Sequence, residues 1–271
     1  MSEEMINKVL AEVVKQMGGE GPAPSSAPAA PTAAPTPAAG SVPAVTEFVG
    51  TNVLGDTIGM VIANVDPKLR AMMKLEKDFR SIGILGARTG AGPHIFAADE
   101  AVKATNSEIL TIELPRDTKG GAGHGSLIIF GAEDVSDARR AVEVSLGELD
   151  RTFGDVYGND AGHLEFQYTA RASYALNKAF GAPIGKAFGI TVGAPAGIGV
   201  VLADTAVKAA TVDVIGYASP AGGTSFSNEV ISFLSGDSGA VRQAIIAARE
   251  VGIPLLGALG ATPESTTTPY I

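Results

Sequence analysis

The chain repeats itself, and no other property narrows its possible folds as much. The segment ADEAVKATNSEIL, Ala98 to Leu110, returns as ADTAVKAATVDVI, Ala203 to Ile215. Ala98, Asp99, Ala101, Val102, Lys103 and Ala104 are matched by Ala203, Asp204, Ala206, Val207, Lys208 and Ala209. Further on, FGAEDVSDARRAV (Phe130 to Val142) parallels FLSGDSGAVRQAI (Phe233 to Ile245), setting Asp134 against Asp237 and Arg139 against Arg242. A duplication within 271 residues reads as two compact domains of one architecture.

Each copy shows the same order: strand, helix, strand, glycine-rich loop, strand, helix. SIGILGA and AFGITVGA are short apolar strands, and FAADEAVKAT and VLADTAVKAA carry apolar residues at helical spacing. EILTIEL and VDVIGYA give second strands, and SLIIFG and EVISFLSG give third strands. VSDARRAVEVSLGEL and SGAVRQAIIAAREVG close the units as helices, with Asp134 or Ser136 and Asp237 or Ser238 where caps are expected. A helix pair on one sheet is an α+β sandwich. EFVGT at Glu47 and EFQYT at Glu165 open the halves alike, giving domains over 47–158 and 159–271. The glycines of Gly90–Gly92 and Gly193–Gly199 read as turns.

Ahead of the duplication, residues 1–19 place Ile6, Val9, Leu10, Val13, Val14 and Met17 on one helical face, which Gly18 and Gly19 end. A single helix of that length is marginal in water and needs a partner. Residues 20–46 are a Pro/Ala/Ser linker, unable to build a core. The pattern predicts a tethered docking helix; the alternative is a disordered tail or a helix folded back on the body.

Charge and composition remove several function classes. With 20 basic and 29 acidic residues the chain carries a net −9 and has no basic cluster, so nucleic acid is not an expected partner. Without cysteine there is no disulfide, thiolate nucleophile or cysteine-held metal, which suits a reducing cytoplasm. No apolar run is long enough for a membrane span and no signal-peptide pattern opens the chain. His94, His124 and His163 are not at metal-ligand spacing, so neither a metal nor another cofactor is expected.

The loop KGGAGHGS, Lys119 to Ser126, is the most pointed local signal. A phosphate loop needs its lysine after the glycines and a helix next, whereas Lys119 precedes them and a strand follows. Asp117, His124 and Ser126 share one loop, without the separate supports that orient a catalytic triad. What remains is a loop whose small residues let copies crowd together and expose backbone polar groups. The second copy has SPAGGTSF, Ser219 to Phe226, in the same place.

The ADxxVKAA helix, the flanking strands and the GDSGAVRQAI helix together resemble the bacterial microcompartment shell domain over about 225 residues. Two copies, each with residues ahead of the usual first strand (47–80 and 165–187), resemble the circularly permuted, trimer-forming members. SIGILGARTGAGPHIF, IELPRDTKGGAGHGSLI and the C-terminal PYI are similar to the propanediol-utilisation branch, with the ethanol-utilisation branch next. The resemblance implies two permuted shell domains of ferredoxin-like α/β type in a homotrimer. It implies no enzymatic activity, other shell proteins and encapsulated diol-metabolising enzymes as partners, and passage of small polar metabolites such as glycerol or propanediol. It also implies a place in the compartment shell.

In such proteins the loop between second and third strands lines a pore, here Lys119, Gly120, Gly121, Gly123, His124, Gly125 and Ser126 with Ser219, Pro220, Gly222, Gly223 and Thr224. Lys103 and Lys208 then lie at the particle edge, or are solvated charges; Arg88 and Arg116 serve an interface, a pore or an ion pair. The competing expectation is a ligand-binding regulatory module made of duplicated α+β domains.

Overall fold

The computed structural model describes residues 45–75, 77–116 and 124–271, all within one compact unit spanning 43–271. The expected N-terminal helix, linker residues 20–44, and Lys119, Gly120, Gly121 and Gly123 of the first glycine loop lie outside the described residues.

Two antiparallel sheets carry the architecture. The first runs β1-β2-β3-β5-β4, from β1 (Phe48–Asn52), β2 (Thr57–Ile62), β3 (Ser81–Ala87), β4 (Glu108–Glu113) and β5 (Ser126–Ala132). The second runs β11-β6-β7-β8-β10-β9, from β6 (Val156–Asn159), β7 (Gly162–Thr169), β8 (Ala187–Ala194), β9 (Asp213–Ala218), β10 (Val230–Gly236) and β11 (Glu264–Ser265). Helices α1 (Pro67–Met73), α2 (Ala91–Ala104) and α3 (Val135–Thr152) go with the first sheet, and α4 (Tyr174–Phe180), α5 (Ala196–Ala209) and α6 (Ser238–Gly257) with the second. The duplicated core is therefore α+β, with an added hairpin and short helix ahead of each copy's central strand.

Sheet register refines the sequence reading. Ile58 pairs with Gly86 on β3, and Glu165 pairs with Val192 at the matching place on β8. Glu165 thus corresponds to Ile58 of the hairpin's second strand. Glu47 instead lies just before β1, its carbonyl accepting from Val61 N at 2.8 Å, so the EF pair does not mark equivalent positions. The second hairpin begins at Val156.

The glycines expected in turns are largely helical. Gly92, Gly197 and Gly199 lie inside α2 and α5, which start five residues earlier than apolar spacing suggests. Only Gly90 keeps a turn role, as the left-handed N-cap of α2 at φ 81°, with Phe153 where a side chain would go. At Gly199 the reason is close approach: an added Cβ would fall 2.6 Å from Val230 O. Asp134 and Asp237 take the N-cap positions of α3 and α6, though neither side chain closes a cap hydrogen bond.

The two copies share one core. Phe96 of α2 stacks on Phe188 of β8 at 5.9 Å, and Phe188 and Phe233 each stack on Phe180 of α4 at 5.9 and 5.0 Å. Ile95, Ile109 and Val142 of the first copy and Leu176, Ile190 and Val192 of the second belong to this cluster. Aromatic rings of this size dominate burial and prefer such offset arrangements.

Candidate functional site

Where the copies meet, a cavity of about 430 Å³ opens. Leu114, Phe180, Ile190, Val192, Ile231 and Phe233 give it apolar walls, and His124, Glu165, Ser225 and Glu229 supply polar groups. Both glycine loops reach it, the first through His124 and the second through Gly223 and Ser225. Arg116 fastens them together by donating from Nη1 to Ser225 O at 2.7 Å.

The polar groups converge behind the wall. His163 Nε2 lies 3.8 Å from Glu165 Oε1 and 3.6 Å from Glu229 Oε2, while His124 Nδ1 lies 3.8 Å from Glu229 Oε1. Neither ring nitrogen of His163 has a hydrogen-bond partner. Burial, and secondly the Glu229 carboxylate, pushes Glu165 up to about 8. Burial also raises Glu229, against the pull of Arg116, and lowers His163 to about 4. His124 is lowered by burial and then by Arg116. The cluster resists carrying charge, as a low-dielectric pocket dictates. Among the described residues no group of histidines and carboxylates is arranged to hold a metal.

The sequence singled out His124 and His163 separately but not their meeting, nor either glutamate. One signal was available: His163, Glu165 and Gln167 alternate along β7 and so share a face. Such a polar stripe reads as solvent-facing, yet Glu165 and Gln167 are buried because the first copy covers that face.

Among the other loop residues, Gly125 N donates to Pro115 O at 2.9 Å, and Ser126 is buried at the start of β5 with an unpartnered hydroxyl. Ser219 and Gly222 exchange backbone hydrogen bonds at 2.7 and 2.9 Å, Gly223 is left-handed at φ 102°, and Thr224 Oγ1 donates to Ser227 O at 3.2 Å. Pro220 sits in the turn between them.

The duplicated lysines part company. Lys103 Nζ lies 2.9 Å from Asp99 and from Glu100, and the buried Asp99 carboxylate accepts from Ser173 N at 3.0 Å and Leu176 N at 3.2 Å. Asp99 thereby caps α4 across the copy boundary, where Ser173 makes no side-chain cap. Lys208 pairs with Asp204 at 2.7 Å on an exposed surface.

The BMC domain family profile matches residues 81–159 and 187–261. The chain is 68% identical over 228 residues to a bacterial microcompartment shell protein PduB of Citrobacter freundii, covering 84% of each. It is 54% identical over 231 residues to a protein of the same description from Limosilactobacillus reuteri, covering 85% of this chain and 97% of that one. Among solved structures, a trimeric bacterial microcompartment shell protein PduB superimposes with a TM-score of 0.82 at 55% identity, and EtuB from Clostridium kluyveri with 0.81 at 57%. Each comparison covers 84% of this chain and all of the other.

Proposed function

Because the chain belongs to the BMC domain family, we propose that it is a structural shell protein, not an enzyme, of a propanediol-utilisation microcompartment, and that it works as a homotrimer. One observation carries the trimer. Equivalent surfaces of the two copies differ sharply in burial. Helix α2 buries nine of its fourteen residues, because the second copy covers it, whereas α5 buries three of fourteen. Ile95, Phe96 and Ile109 are 0%, 2% and 8% exposed, while their counterparts Val200, Val201 and Val214 are 49%, 42% and 53% exposed.

The covering surface shows the reverse. Leu176 of α4 is fully buried, but the corresponding Leu69 of α1 is 49% exposed and Met72 is 79% exposed. A second copy of the chain fits both: its first domain would cover α5 as the second domain covers α2. Such head-to-tail contacts close into a ring when the rotation permits. Two copies per chain and three chains give a pseudohexagonal particle, whose domains divide just ahead of β6 rather than after residue 158, which would cut that strand.

In this reading Lys119, Gly120, Gly121, Gly123, His124, Gly125 and Ser126, with Ser219, Pro220, Gly222, Gly223 and Thr224, line openings for small polar metabolites such as glycerol or propanediol. The cavity between the copies supports that use. Lys103 and Lys208 serve edges, Lys103 at the copy boundary and Lys208 toward neighbouring shell proteins. The stripe of Ile6, Val9, Leu10, Val13, Val14 and Met17 docks encapsulated enzymes through the 20–46 tether. Protein lacking residues 1–37 should then build shells that lose their enzyme core; retention of the core would end the docking idea.

Native mass spectrometry of the full chain followed by electron microscopy of concentrated protein tests the shell reading. A trimer that tiles into sheets is expected. A monomer without lateral assembly would overturn it.

A further inference from the structure

We propose that Glu165, Glu229 and His163 set charge selection in the cavity between the copies: with one proton held on the two carboxylates their single negative charge is offset by Arg116 and the wall is close to neutral, and on losing that proton it turns anionic. Neutral hydroxylated molecules then enter in both states, and small carboxylates only in the first. This rests on reading the cavity as a passage or site for small molecules.

The geometry makes the three residues one unit. Both carboxylates approach the same ring nitrogen, His163 Nε2, at 3.8 and 3.6 Å. The imidazole has no other partner, so its hydrogen-bonding capacity is directed at this pair or at what enters beside it. Glu165 and Glu229 line the cavity, and His163 backs them. Among the described residues, the remaining groups facing the unit are few. His124 approaches Glu229 from the loop just ahead of β5, Arg116 engages Ser225 O at the loop junction and pulls on the Glu229 carboxylate, and Tyr217 contributes a phenol from β9. The first turn of α2 brings no charge; Gly92 lies there, and a Cβ on it would stand 3.0 Å from Glu165 Oε2.

Two carboxylates beside an imidazole, with the Arg116 guanidinium to offset one of them, cannot both ionise cheaply in a mostly apolar pocket. One proton held among them is the low-energy state near neutrality, in line with Glu165 at about 8 and His163 at about 4. Loss of that proton adds a full negative charge beside Ile190 and Val192. An anion entering then meets like charge at short range in a low dielectric.

The test uses the full-length protein with methyl-labelled Ile, Leu and Val and ¹³C-carboxyl-labelled Glu, observed by NMR. One glutamate carboxyl should titrate near about 8 and vanish in Glu165→Gln. 1,2-Propanediol should shift the Ile190, Val192 and Ile231 methyls at about pH 6.5 and at about pH 9.5, whereas the propionate response should fall about tenfold or more at the higher pH. Glu165→Gln should keep the propionate response at both. The proposal is overturned if no glutamate titrates above about pH 6, if the two probes respond alike to pH, or if neither probe perturbs these methyls. Failure of the shell reading shows instead in the native mass, independent of these signals.

Discussion

Asp99 and Asp204 occupy one position of the duplicated motif and do different work. Asp99 is buried, holds Lys103 and caps α4; Asp204 is exposed and holds only Lys208. Asp204 has no cap to supply on a neighbouring first domain either, because Asp66 already accepts from Lys68 N and Leu69 N at the start of α1. Asp99→Ala should cost about 3–5 kcal/mol, the scale for removing one partner of a buried pair, and Asp204→Ala about 0.5 kcal/mol or less, both read from urea unfolding. At Glu165 the native side chain keeps its proton up to about 8, against 4.5 for an ordinary glutamate. The native state therefore binds more protons across that window, and stability falls as pH rises through it. His163 acts oppositely on the acid side: with its value lowered from 6.5 to about 4, stability falls as pH drops between those values. Glu165→Gln should remove the alkaline loss, giving a melting temperature that changes little between about pH 6 and about pH 9, while the parent protein melts lower at the higher pH. Neither the cap nor the proton-holding cluster was legible locally. Both depend on residues far apart in the chain, brought together only when the copies pack.

Strands and helices were read well where periodicity was strong, since an apolar stripe dictates which face must be buried whatever the partner. Helix starts were read poorly, because glycines that spacing assigns to turns are there for close packing of α5 on the sheet. α6 also runs on to Gly257 through Pro254, past the expected end. The short C-terminal segment gave no periodic signal, yet it is tightly held. The buried Asp155 carboxylate accepts from Tyr270 N at 2.9 Å, Ile271 N at 3.0 Å and Arg249 Nη1 at 2.6 Å, and Arg249 also reaches Ile271 O at 2.8 Å. Tyr270 Oη donates to Tyr168 O at 2.8 Å, and Arg151 lies over its ring. Deleting Tyr270 and Ile271 leaves Asp155 and Arg249 buried without these partners. The expected cost is about 2–4 kcal/mol by denaturant unfolding, with Arg249→Ala similar. A deletion that melts like the full chain would show the clasp to be ornamental.

At the scale of the whole molecule, duplicated sequence does not mean duplicated surroundings. Val200→Asp with Val214→Asp should break assembly from one side, and Leu69→Asp with Met72→Asp from the other, each giving monomers by native mass with little loss of monomer stability. The corresponding change inside the chain, Phe96→Asp, should unfold the protein, because that position is already core. Unchanged trimers in both surface variants would sink the head-to-tail arrangement. The repeat and the helix and strand periods determined the α+β class and the two copies, and the wording of the ADxxVKAA and GDSGAVRQAI helices carried the resemblance to the family, because those properties belong to residues adjacent in the chain. Tertiary structure alone decided which copy of each surface is covered, why Asp99 is a cap and Asp204 is not, and that His163, Glu165 and Glu229 share one buried pocket. Burial is a property of the packed pair of domains, and a polar strand face or an apolar helix face carries no mark in sequence of what will lie against it.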